Sequence, residues 1–300
     1  MNRKMIRYLL LGGLALLITT VGCQPASAYA QNAAAPAFDG SHAFNYAETL
    51  MSLGPRIPGS AGSQASLDYI RSELQSYGWQ VEIQSFDHKG VTLNNIVAYQ
   101  DPNAAQVLIG AHYDTRAISD QENDPELQKL PVPGANDGTS GTAVLLELAR
   151  SLKGKAGSVW LVFFDGEDQG HINDWDWSVG AQHFADHLKV TPQNVIVIDM
   201  IGDADLAIYR EKQSDKDLCD GIWNTAEQLG LGGSIINQEK YAMLDDHLPF
   251  IKRGIPACLL IDFDYPYWHT QSDTLEHISV ESLQAVGDVL LNWITNNIAE

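Results

Sequence analysis

The chain has 300 residues, 45% of them hydrophobic, and carries a formal net charge of -20 at pH 7. Its length suits one large domain or two small ones, and its hydrophobic content is enough to bury a sizeable core. The strongly acidic balance argues against a nucleic-acid partner and against electrostatic binding to an anionic membrane.

The N-terminal segment predicts export. Three basic side chains within residues 3–7 precede an apolar run that ends near residue 22 and is too short for a stable membrane span. A basic start followed by a short apolar stretch is typical of a secretory signal sequence. We therefore assign residues 1–22 to a signal peptide and expect an exported bacterial protein that is periplasmic, anchored in the cell envelope or secreted.

Two cleavage sites compete after this signal. The stretch before Cys23 resembles a bacterial lipobox, with Thr20 where Leu is usual, and a lipid anchor on Cys23 would be the only membrane contact. The alternative is an ordinary signal-peptidase site, A-x-A, at residues 26–28. We favour the lipoprotein, and in either case we expect residues 23–41 to form a flexible leader.

Apolar periodicity after the leader predicts strands that alternate with helices. The predicted helices cover residues 43–53, 64–77, 142–152, 179–187, 216–229, 246–252 and 280–298, and the predicted strands cover residues 80–86, 93–99, 107–111, 159–164, 194–198, 206–209 and 257–261. Such alternation builds a sheet that is buried on both faces. We expect an α/β three-layer sandwich, with a mixed, mostly parallel central sheet covered by helices on both faces, in one domain over residues 42–300.

Candidate metal ligands stand where several of these strands end or the next helix begins. They are His112 and Asp114, Asp137, Glu167 and Asp168, Asp199, and His269. Ligands of open α/β sheets bind outside the carboxyl ends of the strands, so these side chains should meet at one edge. Taken singly, each carboxylate is more simply explained as a helix cap or turn residue. Together, their imidazole and carboxylate groups predict a zinc site.

The adjacent carboxylates of Glu167 and Asp168 add catalytic chemistry to this site. Two neighbouring carboxylates ionise easily only beside a cation, so we expect one on the metal and one acting as a general base. A solvated acidic turn is the weaker explanation, because the strand before the pair is fully apolar. The sequence contains no nucleophile elbow, no Walker-type phosphate loop and no dinucleotide-binding fingerprint.

Apart from the candidate anchor Cys23, the chain has two cysteines, Cys219 and Cys258. They could pair in an oxidising compartment, but the sequence leaves the pairing open. Because Cys258 lies in a predicted apolar strand, we interpret it as a small buried hydrophobic side chain. The two cysteines lack zinc-site spacing, so a metal site must use His and carboxylate ligands.

The order of these motifs resembles the zinc aminopeptidase family, which is related to the bacterial leucyl aminopeptidases. The resemblance runs from about residue 46 to the C-terminus and rests on residues 112–114 (HYD), 134–138 (GANDG), 167–168 (ED), 199–202 (DMIG), 246–247 (DH) and 269–273 (HTQSD). Within that family the chain is more similar to the glutaminyl cyclases, on residues 56–60 (RIPGS), 164–168 (FDGED), 245–250 (DDHLPF) and 268–270 (WHT). The resemblance implies that the expected α/β three-layer sandwich has the zinc aminopeptidase-like fold.

The resemblance implies a single catalytic zinc bound by Asp137, Asp168 and His269, with Glu167 as the general acid and base. Asp168 departs from the cyclase pattern, which has Glu at this position, and the shorter side chain requires a shift of the zinc or of the backbone. The implied activity is that of a glutaminyl-peptide cyclotransferase, an acyltransferase that converts an N-terminal glutamine to pyroglutamate and releases ammonia.

The same resemblance implies supporting roles around the zinc. Asp199 and Asp245 would belong to a hydrogen-bonded proton relay. Trp268 would form one wall of the substrate pocket, and Trp175 or Trp177 would form another. The implied partners are the N-termini of peptides or proteins, and we expect the protein to be a monomer.

Two other functions stay open at the level of the sequence. A zinc aminopeptidase would bind two zincs, with His112 and Asp199 completing the second site and Asp137 bridging, and Glu167 would activate a water. A non-catalytic exported binding protein would keep the fold without turnover, but the intact Glu167 argues against it. We prefer the cyclase because residues 245–247, Trp268 and the Trp-containing loop favour it.

Overall fold

The computed structural model describes residues 37–298. The predicted signal peptide, both cleavage sites and most of the predicted leader lie outside this range. Helix α1 (Gly40–Ser52) begins before the predicted end of the leader, because the Asp39 side chain accepts hydrogen bonds from the backbone N–H groups of Ser41 and His42. Within the described range, no helix has the length and apolar character needed to cross a membrane.

A sheet of eight strands forms the middle layer. The strands are β1 (Gln80–His88), β2 (Val91–Tyr99), β3 (Val107–His112), β4 (Val159–Phe164), β5 (Asn194–Asp199), β6 (Ile208–Arg210), β7 (Ile235–Glu239) and β8 (Ala257–Ile261). Their spatial order is β1-β2-β4-β3-β5-β8-β6-β7. The central strands β4, β3, β5 and β8 are mutually parallel, whereas β1–β2, β2–β4 and β6–β8 are antiparallel pairs. The pair β6–β7 is also parallel, so the predicted mixed, mostly parallel sheet is confirmed.

Helices cover both faces of this sheet. After α1 they are α2 (Ala61–Ser76), α3 (Thr139–Ser151), α4 (Val179–Asp186), α5 (Lys216–Gln228), α6 (Leu248–Ile251) and α7 (Val280–Asn297). Successive side chains of a strand point to opposite faces. Accordingly, Val107 and Ile109 of β3 belong to a core cluster that includes residues of α1, α2, α3, α5 and α7, whereas Leu108 belongs to one that includes residues of α4 and α6. The three-layer arrangement is therefore confirmed.

The structure contains one strand that the sequence did not predict. In β7 only Ile235 is buried, and the last three residues, Asn237–Glu239, are exposed. A short strand with one buried residue lacks the alternation that marks a half-buried strand. β7 is the edge strand beside β6, so neighbouring contacts rather than local pattern define it.

A disulfide joins Cys219 of α5 to Cys258 of β8, with the two Cα atoms 5.6 Å apart. Both residues are buried. The interpretation of Cys258 as a mere buried hydrophobic side chain was therefore wrong, because α5 packs against β8 closely enough for the sulfurs to bond. Such bonds persist in oxidising compartments, outside the cytosol.

Candidate metal centre

The carboxyl ends of the central strands bring the predicted ligands to one edge of the sheet. His112 ends β3 and Asp199 ends β5, while Asp168 follows β4. Asp137 stands just before α3, and His269 lies in the loop after β8. Because β4, β3, β5 and β8 are adjacent and parallel, their ends open on the same side of the sheet.

The first group of candidate ligands is Asp137, Asp168 and His269. Each offers a ligand atom within 4.8 Å of the others, and all three side chains are buried. His269 Nε2 lies 3.0 Å from Asp168 Oδ1 and 3.7 Å from Asp137 Oδ2. The structure therefore brings together the three residues that the sequence resemblance implied as zinc ligands.

This group fits a zinc ion. Asp168 Oδ2 is buried and has no hydrogen-bond partner, which is unusual for a carboxylate oxygen. Burial and the Asp137 carboxylate raise the pKa of Asp168 to about 6, and a cation beside the two acids would relieve that repulsion. Carboxylate oxygens and imidazole nitrogens are both zinc ligands, and three protein ligands leave a fourth position open as in catalytic zinc sites.

A second group shares Asp137 with the first. His112 Nε2 lies 3.1 Å from Asp137 Oδ1 and 3.1 Å from Asp199 Oδ1, and all three side chains are buried. Burial alone would lower the pKa of His112, but the surrounding carboxylates, Asp199 above all, raise it well above its usual value. The negative charge of Asp137 and Asp199 can thus be neutralised either by a second cation or by a protonated His112.

Glu167 lies beside both groups. Its side chain is 6% exposed and accepts a hydrogen bond from Ser178 Oγ at 3.3 Å. Burial raises its pKa well above the usual value; His112 opposes this shift, and the carboxylates of Asp246 and Asp245 add to it. A raised pKa makes a carboxyl a better proton acceptor than an ordinary glutamate, which suits a residue that must both take up and release a proton.

Asp114, which the sequence suggested as a further ligand, belongs to neither group. Its carboxylate accepts hydrogen bonds from the backbone N–H groups of Glu167 at 3.0 Å and Asp168 at 3.3 Å, and from the Gln169 side chain at 3.1 Å. The expectation of a ligand was wrong because the turn after β4 needs an acceptor for these buried donors. Asp114 therefore fixes the backbone that carries the paired carboxylates.

Buried acids continue from the metal groups into the adjoining loop. Asp245 and Asp246 are 5% and 1% exposed. Burial and the charge of Asp199 raise the pKa of Asp245 well above its usual value, and burial raises the pKa of Asp246 to about 8. The charge of Asp199 thus acts on both acids, and the relay of Asp199 and Asp245 stays a prediction.

Two site residues were missed by the sequence reasoning, Arg116 and Asp120. They lie in the loop between β3 and α3, where Asp120 Oδ1 is 2.9 Å from His269 Nδ1 and Arg116 contacts Asp168. Burial alone would raise the pKa of Asp120, but hydrogen bonds with His269 and Arg116 hold it below its usual value. A polar loop without periodicity offered no signal for either residue.

The metal groups open into a cavity of about 180 Å³ whose lining includes Glu167, Asp199 and Asp245. Trp177 and Trp268 form aromatic walls, and the Trp268 ring stacks on His269 at a centroid distance of 3.8 Å. Trp175 does not line this cavity. It lines a different one beside Ile57, Pro58 and Lys89, so of the two predicted loop tryptophans only Trp177 reaches the metal groups.

A wider cavity of about 550 Å³ adjoins the first and shares Trp177, Leu244 and Asp245 with it. Phe86 also lines the wider cavity, stacked on His183 at a centroid distance of 3.9 Å. This volume is in the range of small-molecule and cofactor pockets, about 300–1,000 Å³. A molecule held at the metal groups therefore has room to continue beyond Trp177.

The α/β sandwich and its buried His and carboxylate groups define a zinc exopeptidase-like protein. Residues 94–294 match the model of Peptidase family M28, and the chain belongs to that family.

Known proteins of two kinds are similar to this chain. The glutaminyl-peptide cyclotransferase of Boiga irregularis is 28% identical over 284 residues, covering 78% of this chain and 75% of the relative. The crystal structure of Tannerella forsythia glutaminyl cyclase is 33% identical with a TM-score of 0.81, covering 87% of this chain and 100% of that one. A Zn-dependent exopeptidase from Parabacteroides distasonis is 34% identical with a TM-score of 0.83, covering 88% and 100%.

Proposed function

We propose that the protein is a zinc-dependent glutaminyl-peptide cyclotransferase that converts the N-terminal glutamine of peptides to pyroglutamate with release of ammonia. The observation that carries this proposal is the position of Glu167. It lies buried beside the Asp137, Asp168 and His269 group, in a cavity with aromatic walls. The similarity to curated and structurally characterised glutaminyl cyclases supports the same activity.

In this proposal Asp137, Asp168 and His269 hold one zinc. When bound, zinc supplies Lewis-acid polarisation of the glutamine side-chain amide. The Glu167 carboxylate accepts a proton from the α-amine as the nitrogen attacks the side-chain carbonyl carbon. Glu167 then delivers that proton to the departing amide nitrogen, so that one C–N bond forms, another breaks and ammonia leaves.

The remaining site residues prepare the substrate for this ring closure. The attack is intramolecular, so the main task of the protein is to hold the glutamine in a ring-like conformer. The walls formed by Trp177 and Trp268 restrict the flexible side chain to such conformers and exclude water. Asp199 and Asp245 exchange protons with the site and keep Glu167 in the protonation state that each step needs.

The substrate class follows from the second cavity. A free amino acid would fill only the 180 Å³ cavity beside the metal groups. The adjoining cavity of about 550 Å³ gives the chain after the first residue a place to lie. We therefore assign peptides and protein N-termini, rather than free glutamine, as the preferred substrates.

A second function is favoured by one specific observation, the His112, Asp137 and Asp199 group. If each group held a zinc, the two sites would share Asp137, the ions would supply Lewis-acid chemistry, and Glu167 would activate a water as in an aminopeptidase. We favour the cyclase because a protonated His112 can replace the second cation. Metal analysis separates the two: the cyclase proposal expects one zinc per chain, and a His112→Gln variant should keep it.

The decisive assay compares two substrates under the same conditions. The purified protein is incubated with a Gln-initiated peptide and with the matched Leu-initiated peptide, and the products are identified by mass spectrometry. We expect ammonia loss from the first and no change in the second. Release of free leucine would establish the aminopeptidase instead, and absence of both reactions would favour a binding protein.

We also propose where the protein works and in what form. A buried disulfide between Cys219 and Cys258 supports export, since such bonds form in oxidising compartments. We propose a bacterial envelope lipoprotein anchored through Cys23, in which residues 42–300 are a single monomeric catalytic domain. Membrane fractionation of the native protein and of a Cys23→Ala variant tests the anchor, and light scattering tests the monomer.

A further inference from the structure

The loop between β3 and α3 carries an ion pair, a buried Arg116 with a partly exposed Asp120, that contacts residues of the metal groups. Arg116 is 3% exposed, and its guanidinium binds Asp120 through two nitrogens, with Nε 3.1 Å from Oδ1 and Nη2 2.7 Å from Oδ2. This forked geometry fixes the relative orientation of the two side chains, unlike a single contact. The pair therefore behaves as one rigid unit.

Asp120 holds His269. Its Oδ1 lies 2.9 Å from His269 Nδ1, which leaves Nε2 facing Asp168 and Asp137. An imidazole that donates from Nδ1 to a carboxylate has a fixed ring orientation and a more basic Nε2. Asp120 thus prepares His269 as a ligand without itself belonging to the ligand group.

Arg116 holds Asp168. Its Nη1 contacts the Asp168 backbone oxygen at 3.3 Å and Oδ1 at 3.5 Å, and its Nη2 contacts the Gly170 backbone oxygen at 3.1 Å. The same guanidinium lies 5.0 Å from the centre of the Trp177 ring. One side chain therefore touches a ligand, the turn that carries it and a wall of the cavity.

We propose that Arg116 and Asp120 form a positioning pair that sets the spacing between Asp168 and His269 and thereby the affinity of the centre for zinc. The inference rests on the zinc centre of the proposed function. A short carboxylate such as Asp168 has less reach than Glu, so its backbone must be held closer to the ion. The contacts of Arg116 with the backbone of residues 168–170 supply that constraint.

The test measures zinc affinity, which needs no substrate. The dissociation constant for zinc is measured by competition with a chromophoric chelator for the holoenzyme and for Asp120→Asn, Arg116→Gln and the double variant. We expect each single change to weaken zinc binding about 10- to 100-fold. The double variant should bind zinc only slightly more weakly than the weaker-binding single variant, because the two residues act as one unit.

A matched control and two further readouts separate positioning from general stability. Asp68 and Arg71 form an exposed ion pair on α2, and Asp68→Asn with Arg71→Gln should leave the zinc dissociation constant unchanged. Arg116→Lys keeps the charge but cannot bind Asp120 through two nitrogens, so its affinity for zinc should be as low as that of Arg116→Gln. The visible spectrum of the cobalt-substituted enzyme should shift in Asp120→Asn, because the ligand geometry changes.

The outcomes distinguish this inference from the proposed function. If the folded Asp120→Asn variant binds zinc as tightly as the unchanged enzyme, the positioning role is wrong, even where ammonia release persists. If the unchanged enzyme binds no zinc, both the inference and the proposed function are wrong. Should Arg116→Gln fail to fold, Asp120→Asn decides alone, since its side chain is 32% exposed and tolerates the isosteric change.

Discussion

The indole ring of Trp177 packs directly on the backbone of Gly170. A Cβ added at Gly170 would lie 2.1 Å from Cδ2 and from Cε2 of the ring, so even a methyl group forces the indole to move. The absence of a side chain at this position is therefore what lets a tryptophan of the loop after β4 reach the cavity beside the metal groups.

Gly170→Ala should impair catalysis through Trp177 without removing zinc. Displacing a wall that restricts the glutamine conformer should lower kcat/KM roughly 10- to 100-fold, as misplacement of positioning groups generally does. Steady-state kinetics with a Gln-initiated peptide measures kcat/KM, and elemental analysis measures the zinc content. Gly157→Ala is the control, because no atom lies within 4 Å of the added Cβ. Unchanged kinetics in Gly170→Ala would remove Trp177 from the substrate pocket.

The buried pair of Glu211 and His247 predicts a specific acid sensitivity. Glu211 Oε2 lies 3.1 Å from His247 Nε2, and Oε1 accepts a hydrogen bond from the backbone N–H of Met243 at 3.0 Å. Burial alone would raise the pKa of Glu211, but these hydrogen bonds lower it from 4.5 to about 2. The ionised carboxylate thus stabilises the fold above its unfolded pKa, and this contribution is lost as pH falls toward the folded value.

Glu211→Gln should therefore flatten the acid limb of the stability curve. The free energy of unfolding is measured by denaturant titration at a series of pH values. It should fall in both proteins as pH drops from about 5 to about 2, and the fall should be smaller in the variant by on the order of 1–2 kcal/mol. Glu48→Gln, at an exposed position on α1, should follow the unchanged protein. An identical acid slope for Glu211→Gln would contradict the assignment.

The disulfide between Cys219 and Cys258 should contribute measurably to stability. It links residues 39 apart in sequence and ties α5 to a central strand. Closing a loop of this length stabilises a fold by about 2–4 kcal/mol, chiefly by restricting the unfolded chain. Reductant should lower the free energy of unfolding of the native protein by that amount. A Cys219→Ala/Cys258→Ala variant should be insensitive to reductant, and equal sensitivity of both proteins would show that another effect is responsible.

The parts of the fold that the sequence predicted are those with strong local patterns. Val159–Phe164 is apolar throughout and was assigned correctly to its end residues, because a strand buried on both faces needs no polar position. β7 has one buried residue and depends on its neighbour β6, so no local pattern marks it. The disulfide likewise depends on how α5 packs against β8, which spacing alone does not determine.

The site divides in the same way. His112, Asp199 and the carboxylates after β4 were found because strand ends locate ligands in this architecture. Asp114 also lies just after a strand end, but its carboxylate accepts hydrogen bonds from backbone N–H groups. A carboxylate can either bind a metal or accept such bonds, so its place in the sequence does not decide between the two roles. Arg116 and Asp120 lie in a loop whose path is set by tertiary contacts, so their approach to Asp168 and His269 is visible only in three dimensions.

The most direct test of the account is the Glu167→Gln variant, assayed for ammonia release from a Gln-initiated peptide alongside its zinc content. The change keeps the size of the side chain and removes its ability to accept a proton. We expect turnover to be abolished while one zinc per chain remains bound. A Glu167→Gln variant that retains zinc and still forms pyroglutamate at the rate of the unchanged enzyme would contradict the role of Glu167 on which the proposed function rests.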